Sequence, residues 1–221
     1  TELINQPETR IEALDWLTRL YLSQNKAEDA FNTVRVVADA SPKNYLRQHV
    51  MANLAVVDNQ KQLAANVHQK LLSSARYSMH DTADNMLNYA RALLEVAKDQ
   101  NDKERQDTFA KIDNFISTIK KRFHPASFEH DRMVLDARIL MLQGKTAKAL
   151  ELLDSSEQLT LEKPLSPSGM LDRARAYFEA GNLAMCDHYM AALSALTQDD
   201  NLYCSAIGLM MQHEQKKHQE L

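Results

Sequence analysis

The stretch "LDWLTRLYLSQNKAEDAFNTVRVVADASP", Leu14–Pro42, decides the fold. Leu14, Leu17 and Tyr21 recur at helical spacing, and so do Ala30, Val34 and Val37. A short polar link, "SQNKAE", separates the two runs, and Pro42 closes the second. Apolar residues three and four apart mark one face of a helix, and a link this short makes consecutive helices antiparallel neighbours. The stretch therefore predicts one helix pair.

The pair repeats. A shift of 34 residues places Met51, Ala52, Ala55, Asn59, Ala64 and Leu71 in the same frame. Met133, Ala137, Leu140, Gly144, Ala149 and Leu153 form a later unit, and Met170, Ala174, Tyr177, Gly181, Cys186, Met190 and Leu193 another. Between them lies a degenerate unit with Met86, Ala90 and Leu93, followed by a long helix carrying Phe109, Ile112, Phe115, Ile116 and Ile119. Helices are predicted over 8–23, 27–40, 43–57, 60–75, 82–98, 103–121, 128–142, 146–158, 168–180, 183–196 and 199–217. A fixed period near 34 residues is the signature of stacked two-helix modules.

Composition agrees. The 221 residues include 4 Gly and 5 Pro, too few for a sheet-rich chain with many tight turns. The net charge of −4 leaves no basic footprint for nucleic acid. No apolar run is long enough for a membrane span. The 2 cysteines, Cys186 and Cys204, do not have metal-ligand spacing and fit either a reducing compartment, which gives the expected cytoplasmic location, or a single disulfide. The chain begins at Thr1 rather than Met, so a preceding portion is expected.

Within the repeat a phrase recurs: "ARALLEVA" from Ala90, "ARILMLQGKTA" from Ala137 and "ARAYFEAGNLA" from Ala174. Ala52, Ala90, Ala137 and Ala174 are the small residues that let paired helices approach. Gly144 and Gly181 end their helices in a left-handed turn. The slot after the alanine is polar throughout: Arg19, Asn53, Arg91, Arg138 and Arg175. Three residues on, the side chain is apolar, as with Leu94, Met141 and Phe178. A face of this kind suits a partner segment offering carboxylates and a few hydrophobic anchors. The competing reading is helix decoration: Glu95 follows Arg91 by four, Glu179 follows Arg175 by four, and Asp15 precedes Arg19 by four. Arg138 has no partner at that spacing, since Val134 and Leu142 occupy it.

Chemistry finds no support. "HEQKKH", His213–His218, spaces its histidines by five, so they diverge on a helix and do not form a zinc pair. His68 falls on a core position, His124 and His130 flank a proline loop, and Cys186 fills a small-residue slot. Of the 10 methionines, Met51, Met86, Met133, Met170 and Met190 fall on repeat core positions. Phosphate loops and nucleophile–base motifs are absent, so neither enzyme activity nor a cofactor is expected.

This frame resembles the tetratricopeptide repeat family over about 9–196. The resemblance implies an all-α solenoid, a right-handed superhelix of about five helix pairs (9–42, 43–76, 82–121, 128–158 and 166–196) plus a capping helix at 199–217, in one domain. It also implies that the first-helix face bearing the arginines lines a concave, partner-binding groove. Ser41, Pro42 and Arg47, then Ser78 and His80, are similar to the "SP…R" and "S-x-H" phrases of bacterial response regulators that carry such repeats after a receiver domain. That narrower resemblance implies a protein-interaction scaffold, the output arm of two-component signalling. Two other functions fit the same frame: an oligomerisation module in which a second copy packs on the final helix (Leu202, Ile207, Leu209, Met210), and a peptide-sensing solenoid.

Overall fold

A computed structural model describes residues 10–24, 26–160 and 166–196. Every regular element among them is helical: α1 Arg10–Ser23, α2 Ala27–Ala40, α3 Tyr45–Val57, α4 Lys61–Ser74, α5 Ala83–Ala97, α6 Asp102–Arg122, α7 Glu129–Leu142, α8 Thr146–Thr160, α9 Pro167–Glu179 and α10 Leu183–Leu196. A single 3-10 turn, Pro125–Ser127, precedes α7 and was not anticipated from the sequence. The predicted capping helix at 199–217 lies outside the described residues.

These helices start and stop where side chains satisfy their ends. Asn44, Thr82 and Ser166 each accept a hydrogen bond from the third backbone N–H of the following helix. Asn101 and Glu104 form a reciprocal capping box on α6, whose last turn carries Lys120, Lys121 and Arg122. Gly144 and Gly181 have φ of 73° and 75°, and Asn59 takes φ of 59° at the corresponding turn of its pair. Left-handed backbone is open to glycine and tolerated by asparagine, which is why the repeat places them there.

The described residues divide into two compact units, with the boundary after Ala75. In the first, α1 packs on α2, α2 on α3 and α3 on α4. Its interior contains Phe31, Val34, Val37, Val50, Met51, Leu54 and Leu71. Arg47 Nη2 meets Asp15 Oδ2 at 2.6 Å, tying α3 to α1, and Gln48 Nε2 donates to the Ala38 carbonyl at 2.7 Å.

In the second unit, Arg76–Ala195, α5 packs on α6 and α7 on α8. The first helices also lie side by side, α5 against α7 and α7 against α9. The α9–α10 pair shows in the stacked rings of Tyr177 and Tyr189, 5.8 Å apart. The fold is all-α, with successive helices packed in adjacent pairs. Ala52, Ala90, Ala137 and Ala174 are all buried, as close helix approach demands. The long α6 buries Phe109, Ile112, Ile116 and Ile119 and leaves its other side to solvent.

Candidate functional site

The second unit gathers the arginines of the repeated phrase into one internal lattice. Arg91 on α5 reaches three carboxylates: Nη1 lies 2.9 Å from Asp84 Oδ1, Nη2 2.8 Å from Asp131 Oδ1 on α7, and Nε 2.6 Å from Asp172 Oδ2 on α9. Its Nη1 also donates to Asn88 Oδ1 at 2.9 Å. Arg138 on α7 donates to the other Asp172 oxygen at 2.7 Å and to Glu95 Oε1 at 2.6 Å, with Glu179 Oε1 3.5 Å away. Arg175 Nη1 stands 3.8 Å from the same Glu95 oxygen. Lys98 bridges Glu95 and Glu179 at 3.1 and 3.0 Å.

Three consecutive first helices are thus cross-braced through charge. Asp172 joins two arginines, one to each of its oxygens, and Arg138 joins α5 to α9 across α7. Ser166, which caps α9, donates to Asp84 Oδ1 at 2.9 Å and continues the lattice to the head of α5. His130 Nε2 approaches Asp131 Oδ2 at 3.2 Å.

Burial makes these contacts matter. Arg138 is 1% exposed, and Arg91, Glu95, Asp131 and Asp172 are buried with it. Burial alone would lower the pKa of Arg91, but Asp84, Asp172 and Asp131 outweigh it and hold the guanidinium charged. Arg138 behaves in the same way, with Glu179, Glu95 and Asp172 outweighing burial. For Glu95, burial alone would raise the carboxyl. Arg138, Arg175 and Lys98 overcome it and hold the group well below the usual carboxylate range.

The sequence-predicted groove residues therefore occupy other surroundings than a free ladder would give them. Arg91, Arg138 and Arg175 have internal carboxylate partners, and a peptide carboxylate would have to displace Asp172 or Glu95 to reach them. Leu94 and Asn53 are buried, whereas Met141, Phe178 and Arg19 are half-buried. The Arg19 guanidinium lies over the Trp16 ring at 4.9 Å, while Asp15, four residues before it, pairs with Arg47. Glu95 and Glu179 do serve arginines, but those of neighbouring helices.

A second polar cluster was not read from the sequence. Arg173, fully buried on α9, donates to Tyr189 Oη at 2.9 Å and to Ser156 Oγ on α8. Tyr177 and Tyr189 both donate to Glu157 Oε1, at 3.1 and 3.0 Å. Burial and then the Glu157 charge push the Tyr177 phenol up. This cluster pins α8, α9 and α10 together. Its only advance signal was a buried-face arginine beside two tyrosines twelve apart, which no single-helix pattern explains.

His68 is buried edge-on to His49, with ring centroids 5.2 Å apart, and Cys186 is buried in its predicted small-residue slot. His124 Nδ1 accepts from the Ala126 N–H in the 3-10 turn. Met51, Met86 and Met190 are buried, while Met133 and Met170 are half-buried. Among the described residues, His, Cys, Asp and Glu form no group of three suited to a metal ion. None of the described helices is long and apolar enough to cross a membrane. His213, His218 and Cys204 lie outside the described residues. No protein-family model matches the chain, and no curated protein does so.

Proposed function

We propose that the chain is a non-catalytic protein-interaction scaffold built of tetratricopeptide-like repeats. One observation carries the reading: α5, α7 and α9 stack side by side while second helices pack against them, the arrangement of a repeat in which each module contacts mainly its neighbours. Such arrays offer one face of their first helices as an extended binding surface. The arginine–carboxylate lattice is then the fixed floor of that face. Half-buried Met141 and Phe178 are its apolar anchors for a polypeptide.

The narrower proposal is an output arm of a bacterial two-component response regulator, working in the cytoplasm. It rests on the two quoted phrases, each of which has a definite local job. Arg47 joins Ser41 Oγ, at 3.4 Å, to Asp15, and Ser78 Oγ accepts from the His80 N–H at 3.1 Å.

The test is saturable binding of a purified partner, first captured from the source cell by the intact chain. Met141→Asp with Phe178→Asp should weaken binding while leaving the helical circular dichroism unchanged. Failure to bind any protein saturably contradicts the scaffold reading. A captured partner unrelated to signalling removes only the narrower proposal.

A further inference from the structure

The loop ahead of α5 departs from the rule the other described residues follow. Left-handed backbone falls on Asn59, Gly144 and Gly181, residues suited to it, but also on Tyr77, with φ of 65°. A bulky aromatic is strained there. Packing within the chain does not account for the choice, because Tyr77 is 86% exposed. Met79, two residues on, is 87% exposed.

The loop nonetheless has a wired frame. Asp81 Oδ2 accepts from the Tyr77 N–H at 2.9 Å, and both Asp81 oxygens accept from Arg122 Nη2, at 2.8 and 2.7 Å. Asn85 Nδ2 holds the His80 carbonyl at 2.9 Å. These bonds fix the backbone that presents Tyr77 and Met79 outward, so their display costs little further ordering on binding. Arg122 is paired with Asp81, and the positive charge left for a partner is that of Arg76 and Lys121. The Arg76 guanidinium lies over the Tyr77 ring at 5.1 Å, and Arg122 fastens the Lys-rich last turn of α6, including exposed Lys121, to the loop.

We propose that residues 76–82 form a preformed docking knob: Tyr77 and Met79 enter an apolar pocket of a partner protein whose carboxylate rim meets Arg76 and Lys121. Tyr, Met and Arg are the residue types enriched at protein interfaces, and Tyr and Arg dominate their binding energy. The local cations select an acidic rim. The chain's net charge of −4 weighs against an anionic lipid surface as the occupant. This inference deepens the scaffold reading and rests on it.

The experiment places benzoylphenylalanine at position 77 of the intact chain, and separately at exposed position 111 on α6, with irradiation in the source cell. Position 77 should crosslink to a segment of another protein that sets carboxylates among apolar residues, and position 111 should not. The identified partner is then purified and titrated against the native chain, Tyr77→Gly and Met79→Ser. Tyr77→Gly relieves the strained backbone, so its melting temperature should rise while affinity falls by about tenfold or more. Equal affinity for Tyr77→Gly overturns the proposal, as do adducts confined to lipid or to a second copy. If the scaffold reading itself fails, neither position yields a protein adduct. If only the knob fails, Tyr77→Gly holds the captured partner as tightly as the native chain.

Discussion

Arg138 Nη1 on α7 stands 2.7 Å from Asp172 Oδ1 on α9, with both side chains withdrawn from water. A pair this deep is costly to break from one side, because the survivor keeps its charge without compensation. Arg138→Met should lower unfolding free energy by about 3–5 kcal/mol, read as a lower urea midpoint. Asp136→Asn on the same helix is the contrast. Asp136 pairs with half-buried Arg132, and burial outweighs that pairing to raise the carboxyl, so its loss should cost much less than that of Arg138.

Acid should unlock the lattice. Glu95 is held below its ordinary range, so the folded protein binds its proton less readily than the unfolded chain does. The resulting stability is complete above the unfolded pKa, about 4.3, and is lost as pH falls through the lower folded value. Thermal scans should show a melting temperature insensitive to Glu95 protonation near neutrality and falling below about pH 4. Glu95→Gln should start lower and fall less steeply.

Gly144 has φ of 73°, and a Cβ built there meets no atom within 4 Å. Backbone strain alone decides the outcome of substitution. Gly144→Ala should cost about 1–2 kcal/mol, and Gly144→Asn distinctly less, by chemical denaturation.

Trp16 is the chain's 1 tryptophan, and it is 64% exposed on α1. Its emission should match that of a solvated indole and be quenched readily by acrylamide. Leu20, one turn on, is also exposed. A blue shift that grows with protein concentration would instead show a second copy covering this α1 face.

Much of this was legible in the sequence because it depends on period and on backbone. Apolar spacing located ten helices to within a few residues. Ala137 and Ala174 marked the close approach of paired helices, and Gly144 and Gly181 the left-handed turns. The lattice was less legible because side-chain pairing was read along single helices. Arg91 finds Asp172 81 residues away and Asp131 40 away, distances that a spacing of three or four does not sample. The clue was Arg138, an arginine in a repeat frame with only Val134 and Leu142 at helical spacing. Such a charge needs a partner on a neighbouring helix, and Asp84 and Asp131 recur seven residues before Arg91 and Arg138.

The most direct test of the cross-braced first helices is a double-mutant cycle on Arg138→Met and Asp172→Asn, followed by urea unfolding. If the pair locks α7 to α9, the two changes should be non-additive by about 1.5 kcal/mol or more. Additivity within about 0.3–0.5 kcal/mol would contradict the lattice, and with it the fixed floor of the proposed binding face.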